Sequence, residues 1–241
     1  MDTPPGSHWQ FRPRLVTTAA AVAFCALTVS LGNWQLRRAD ENEATQRLRE
    51  ERTAAPATRL PGGLVSPEAW AWRRVEVRGE YSGRHTILLD NRVREGRVGY
   101  EVLTPLRLEA SGLYVLVDRG WVPAGRTRGE LPAVRTPPGV QAVEGIATAP
   151  PARVFELGDS ASNGAVWQHL QLDRYREWSG LTLQPLVVVQ TSDAPDGLLR
   201  RWERPATGAD KNRAYALQWY TFALLTVILY VGLNFKRVRH P

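Results

Sequence analysis

The chain has 241 residues, a net charge of +7 carried almost wholly by arginine, and a single cysteine, Cys25. One cysteine excludes an intrachain disulfide framework, and basic residues dispersed among acidic ones, with no patch interleaved with aromatics, argue against a nucleic-acid surface. Two long charge-free stretches, one near each end, set the chain among membrane proteins instead.

The first stretch runs from about Leu15 through Leu31 to Gly32, preceded by Arg12 and Arg14. A basic start and an apolar run also describe a secretory signal. The run is longer than a signal core, however, and ends in the bulky segment Asn33-Trp-Gln-Leu-Arg-Arg38 with no small-residue cleavage site, so it reads as a retained anchor. Ala19, Ala23, Ala26 and Ser30 fall on one helical face. That stripe is either a surface for close packing on the second membrane helix or a chance product of an Ala-rich composition. The following Ala39–Arg52 segment is rich in helix formers, with Glu43 and Arg47 at i,i+4 spacing, and continues the helix as a polar stalk until Pro56 and Pro61-Gly-Gly63.

From Trp72 the period changes to two. Segments 74–78, 85–91, 99–104, 113–118, 140–146, 165–170 and 186–190 predict seven short strands, and hence one β-sandwich or barrel-like domain. Asp173 is the expected cap of a short helix over Arg174–Trp178, stopped by Gly180. The stretches 132–138 and 158–164 read as surface loops. Tyr215–Phe235 is then charge-free over about 30 Å, with Tyr215, Trp219 and Tyr220 at one end and Lys236, Arg237 and Arg239 beyond the other, the pattern of a membrane-spanning helix.

The expected organisation is a tail over 1–13, a membrane helix over 14–34, a stalk and linker over 35–60, a β-rich α+β extracytoplasmic domain over 61–212, a second membrane helix over 213–235 and a tail over 236–241. The basic tails place both termini in the cytoplasm and the domain in the periplasm of a bacterial inner membrane.

The domain's chemistry is sparse. His85 and His169 have no second histidine or cysteine at ligand spacing, and no nucleophile elbow or phosphate loop is present. No catalytic or metal residue is assigned, and binding is expected rather than turnover. A tethered hydrolase using either histidine is the rival from the enzyme class. Asp90-Asn91-Arg92 and Asp118-Arg119-Gly120-Trp121 each place an acid and an arginine at the end of an apolar strand. Opposed charges there pair to fix a hairpin, with Trp121 over the junction, or else Arg92 and Arg119 offer cations to a carboxylate on a ligand or partner.

Six motifs in order carry a family likeness: Gly32-Asn-Trp-Gln-Leu-Arg-Arg38, Gly79-Glu-Tyr81, Asp90-Asn-Arg92, Gly99-Tyr-Glu-Val-Leu-Thr-Pro105, Val117-Asp-Arg-Gly-Trp-Val-Pro123 and Tyr215-Ala-Leu-Gln-Trp-Tyr220. From about Leu15 to Arg239 the chain resembles a bacterial member of the surfeit locus protein 1 family, the assembly factors of haem-copper cytochrome c oxidase. The resemblance implies a protein that assists maturation of subunit I at haem a insertion, alongside the haem a synthesis and other assembly proteins. It also implies, in some members, a haem-ligating histidine three residues before the Tyr-Ala of the second helix. Asn212 stands there in this chain, and an amide does not replace imidazole as a strong iron ligand. Trp34, Gln35, Arg38, Tyr215 and Trp219 are the residues expected nearest a haem at the outer membrane surface; the alternative is an ordinary aromatic belt with snorkelling charges. A general periplasmic scaffold or chaperone with no haem role is the remaining reading.

Overall fold

The computed structural model describes residues 7–125, 130–150, 162–202 and 207–239. In chain order the first elements are β1 (Ser7–Phe11), α1 (Leu15–Ala54), β2 (Thr58–Arg59), α2 (Pro67–Trp70), β3 (Arg74–Tyr81), β4 (Ile87–Arg94), β5 (Arg97–Leu108) and β6 (Tyr114–Pro123). There follow β7 (Val140–Thr148), β8 (Ser162–Asn163), β9 (Val166–Trp167), α3 (Leu172–Ser179), β10 (Leu183–Gln190), α4 (Ala209–Asn234) and β11 (Phe235–Arg239). They form two compact units, one of residues up to Leu48 together with those from position 205 onward, the other of residues 49–204.

In the helical unit, α1 and α4 each contain a window long and apolar enough to cross a bilayer, with mean hydropathy 1.9 and 1.6. The least exposed positions of α1 there are Thr18, Ala21, Cys25, Thr28, Gly32, Gln35 and Ala39, a seam of alternating three- and four-residue steps. It packs antiparallel against α4: Thr18 Oγ1 lies 2.6 Å from Tyr230 Oη, Cys25 Sγ reaches Ala223 O at 3.6 Å, and Tyr220 Oη donates to Asn33 Oδ1 at 2.7 Å. A Cβ at Gly32 would lie 2.7 Å from the Tyr220 ring, so this position has room only for glycine. The stripe Ala19, Ala23, Ala26 and Ser30 is exposed and does not form the contact. The reason is that tyrosine rings fill the space between the helices, and backbone needs to approach only where Tyr220 meets Gly32. β1 and β11 pair antiparallel, Gln10 opposite Lys236 and Phe11 opposite Phe235.

The second unit is built on a closed ring of strands. β3 pairs with β7 over Arg74–Glu80, β7 with β10, β10 with β6, β6 with β5, and β5 returns to β3 through Leu106–Leu108 opposite Tyr81–Gly79. All these pairs are antiparallel except β10 with β6. Of the sandwich and barrel expected, the ring is a barrel. Closure is possible because β5 is 12 residues long and, besides pairing with β6, serves both β3 through its last residues and β4 through its first. Period-two alternation sends Val75, Val77, Tyr81, Leu106, Val115, Val117, Val143, Leu186 and Val188 to one buried cluster. The opposite faces of β4, β5, β6 and β10 carry Ile87, Leu89, Leu103, Leu116 and Val187, and α3 covers them with Leu172 and Tyr175. Tyr175 Oη donates to His85 O at 2.5 Å, and its ring stands 5.9 Å from that of Trp167.

Several expected elements shift. α3 begins at Leu172 with Gln171 as its cap, so Asp173 lies in the first turn, paired to Arg176 at 2.9 Å. Gly180 ends it in the left-handed region, as its position suggests. The strand expected over 165–170 shortens to Val166–Trp167. Of the loop expected over 158–164, residues 158–161 lie outside the described residues, while Ser162–Asn163 form β8.

Candidate functional site

The motifs Asp90-Asn-Arg92 and Asp118-Arg-Gly-Trp121 are brought together, but their charges do not pair with one another. Alternation along β6 puts Asp118 on the face of Leu116 and Arg119 on the face of Val117, and the strand bulges between Asp118 and Gly120. Gly120 takes φ 138°, and a Cβ there would meet Leu199 O at 2.8 Å, so a side chain is excluded on both counts. Trp121, almost wholly buried, exchanges backbone hydrogen bonds with Leu199 at 2.8 Å in both directions and donates its Nε1–H to Arg92 O at 2.7 Å. The indole therefore fastens the two motifs, as its expected place over the junction implies.

Arg119 is 0% exposed. Its guanidinium donates to Asp196 Oδ2 at 2.9 Å, to Arg135 O at 2.7 Å and to Thr104 Oγ1 at 3.5 Å, and lies 5.0 Å from the centre of the Tyr81 ring. Arg200 donates to the same Asp196 oxygen at 2.6 Å, and the Leu198 N–H reaches Oδ1 at 3.3 Å. Burial works to raise the Asp196 pKa, but the hydrogen bonds from Arg200, Leu198 and Arg119 prevail and hold it below the usual carboxylate value. Burial pushes Tyr81 up to about 12 although both arginines oppose it. This cluster is a structural lock, and it pins the 132–138 segment through Arg135 O; Arg119 offers nothing to an outside ligand.

On the other side lies a cleft of about 310 Å³ walled by Leu89, Leu103, Leu170, Val187 and Val189, with Asp118, Glu101, Arg92 and His169 at its polar part. Glu101 takes Arg92 at 3.2 Å and Arg94 at 2.9 Å. Asp118 is left with a backbone hydrogen bond from Gly120 at 3.3 Å. Burial raises the Asp118 pKa well above its ordinary value and the neighbouring Glu101 charge adds to this, against the Gly120 bond and the two arginines. A neutral carboxyl in an apolar cleft both donates and accepts hydrogen bonds, so the arrangement suits a group that is apolar with a polar tip. Arg92, Glu101 and Asp118 come from three of the six family-like motifs. Their meeting on one face was not readable, because each motif was notable for its strand end rather than for its side of the sheet. Asp90 stays local, accepting from Asn91 N at 2.7 Å, and Asn91 adopts φ 59°.

The two histidines have different surroundings. His85 Nδ1 is 2.9 Å from Ser82 Oγ in a single turn of 3-10 helix, its ring faces Trp178, and burial followed by the Arg84 charge lowers its pKa. His169 lines the cleft. Among the described residues no three His, Cys, Asp or Glu side chains gather as a metal site.

On the helical unit, Trp34 and Tyr215 are 52% and 42% exposed. Gln35 and Trp219 are half-buried, with Trp219 edge-on to Phe222. Arg38 pairs with Glu41 at 3.3 Å, and Arg213 with Glu43 at 2.6 Å. Asn212 is half-buried on the packed side of α4. Among the described residues of this end of the pair no imidazole or thiolate is present, and Arg38 and Arg213 already face carboxylates.

A closed β-barrel domain between two helices of membrane-spanning length defines a class of membrane-anchored protein. The SURF1 family model matches residues 22–224, from within α1 to within α4. A surfeit locus protein 1 of Takifugu rubripes is 24% identical over 232 residues, 89% of this chain and 95% of that protein. An uncharacterized SURF1-like protein of Mycobacterium tuberculosis is 35% identical over 112 residues, 45% of this chain and 41% of that one. The cytochrome oxidase assembly protein SHY1 of Saccharomyces cerevisiae is 28% identical over 94 residues, 38% of this chain and 24% of that protein. The chain belongs to the SURF1 family.

Proposed function

We propose that this protein is a non-enzymatic, inner-membrane assembly factor for haem-copper cytochrome c oxidase, assisting maturation of subunit I at the stage of haem a insertion. The observation that carries the reading is the family match running unbroken from one membrane helix, across the barrel, into the other. A relative named for cytochrome oxidase assembly supports the direction. Both termini are cytoplasmic and the barrel periplasmic in this reading, because Arg12, Arg14 and Lys236 flank the same end of the helix pair. The protein acts through surfaces: the cleft at Asp118 meets a polar-tipped apolar group of a partner, and haem a is served without ligation from position 212.

The test is a gene deletion assayed for haem a content and oxidase activity, with the intact gene restored on a plasmid. Loss of both, recovered on complementation, is expected. Normal haem a and normal activity in a strain without a paralogue would sink the proposal. An absorption spectrum of the purified protein, co-produced with the haem a synthesis enzymes beside Asn212→His, separates the two finer roles. A haem a signal in the natural protein means that another residue ligates the haem or that the pocket holds it without a histidine at 212, and a signal confined to the variant supports a chaperone that does not itself carry the haem.

A further inference from the structure

The end of the helix pair where the chain enters and leaves carries a second cleft, of about 430 Å³, that the assembly reading does not use. Its polar rim is cationic: Arg12 and Arg14 from the link between β1 and α1, and Lys236 from β11. These three come from opposite ends of the sequence and are brought together because Gln10 pairs with Lys236 and the Arg12 N–H bonds to Asn234 O at 2.9 Å. Among the described residues no carboxylate lines the cleft and none of the three has an ion pair; the Arg12 guanidinium donates to the neutral Gln10 amide at 3.0 Å. The remaining wall is apolar, with Leu229, Leu233 and the Tyr230 ring climbing from the cations into the membrane-spanning part of α4. Tyr230 is held in place by its hydroxyl contact to Thr18 and by Phe11, whose ring centre is 6.1 Å away.

A site with uncompensated cations at the membrane boundary and an apolar trough rising from them matches one ligand chemistry, a phosphodiester joined to a hydrocarbon chain. Scattered snorkelling cations do not account for it, since those spread around a helix end, whereas these converge on a single concavity. A zwitterionic headgroup is disfavoured, because its own cation would face three others in a medium of reduced dielectric.

We propose that this cleft binds an anionic phospholipid, its headgroup phosphate held by Arg12, Arg14 and Lys236 and its first acyl chain lying along Leu229 and Leu233. The bound lipid ties the two chain ends together at the surface where both leave the membrane. The proposal rests on the two helices spanning a bilayer, and not on any role in oxidase assembly.

The experiment is native mass spectrometry of the full-length protein in non-ionic detergent, titrated with dioleoylphosphatidylglycerol or dioleoylphosphatidylcholine. One phosphatidylglycerol per chain is expected to bind in clear preference to phosphatidylcholine. At roughly fivefold per membrane-surface cation, Arg14→Gln with Lys236→Gln lowers phosphatidylglycerol affinity about 25-fold and leaves phosphatidylcholine unchanged. Removing the same charge elsewhere, with Arg37→Gln and Arg47→Gln, changes neither. Arg14→Lys retains the preference, and the single Arg14→Gln variant reads the fivefold step should the double variant lose its helical circular dichroism. Equal binding of the two lipids, an equal loss in the Arg37/Arg47 variant, or displacement of phosphatidylglycerol by millimolar inorganic phosphate would each overturn the proposal.

Discussion

The shared carboxylate at Asp196 makes an uneven forecast for its two partners. Breaking a buried ion pair ordinarily costs about 3–5 kcal/mol, because one charge is left buried without compensation. Arg119→Met does not do that: Asp196 keeps Arg200 at 2.6 Å and the Leu198 N–H at 3.3 Å. What disappears is the charged bonds to Asp196 and Arg135 O, offset in part by the desolvation of Arg119 that no longer has to be borne, so about 2 kcal/mol is expected. Asp196→Asn is worse, because it leaves the wholly buried Arg119 and the 9%-exposed Arg200 side chain facing a neutral amide. About 4 kcal/mol is expected there. The double variant removes one of those stranded cations and is predicted to be more stable than Asp196→Asn alone, which requires a non-additivity of more than about 2 kcal/mol. Thermal unfolding followed by near-UV circular dichroism at a fixed scan rate reads these as midpoint losses of roughly 6 °C for Arg119→Met and 12 °C for Asp196→Asn. Additive losses, or Arg119→Met the more damaging of the two, would refute the shared-carboxylate reasoning.

Three further outcomes follow from the same structure. Gly32→Val drives a side chain into the Tyr220 ring and is expected to cost about 1–3 kcal/mol of helix pairing; cross-linking of Thr18→Cys to Tyr230→Cys by a short bis-maleimide, with Cys25 replaced by serine, should slow markedly in that background. Asp118 has a folded-state pKa raised above the unfolded value of 3.8, so its protonated form stabilises the fold at low pH and that contribution is lost as pH rises through the raised value. Asp118→Asn should therefore flatten the pH dependence, gaining midpoint relative to the parent as pH rises above the unfolded value; an unchanged profile would show that the pKa of this carboxyl is not raised by the fold. Tyr175→Phe leaves His85 O without its buried donor and should lower stability by about 1–2 kcal/mol, read by guanidinium unfolding.

The elements most legible in the sequence were those dictated by a medium. A bilayer demands some twenty apolar residues regardless of tertiary context, and a half-buried strand demands alternation, so both membrane helices and the main strands could be located. The face of α1 that packs on α4 was missed by one register, because an Ala-rich helix offers small residues on several sides and the tyrosines that select one side belong to another segment. Arg119 was notable in sequence, but Asp196 lies 77 residues away in a stretch that reads as a turn, and no local pattern links them. The cleft at Asp118 follows from alternation along β6, but a single-residue bulge just after it shifts the facing of the residues beyond, Trp121 among them. Such a bulge has no signature beyond a glycine.

β4 leaves the barrel's protection after Leu89, since β9 pairs with it only at Leu88 and Leu89. The stretch from Asp90 to Arg94 is consequently a margin that no described strand covers, and apart from Arg92 O, which the Trp121 indole takes, its outward backbone groups are open to a foreign strand. Its sequence answers that hazard: Asn91 in the left-handed region interrupts the run of backbone groups, and Arg92 and Arg94, both bound to Glu101, line it with charge. A motif that looked like a recognition signal is thus also a guard against self-templated aggregation, so neutralising Arg92 and Arg94 together threatens solubility before it threatens the fold.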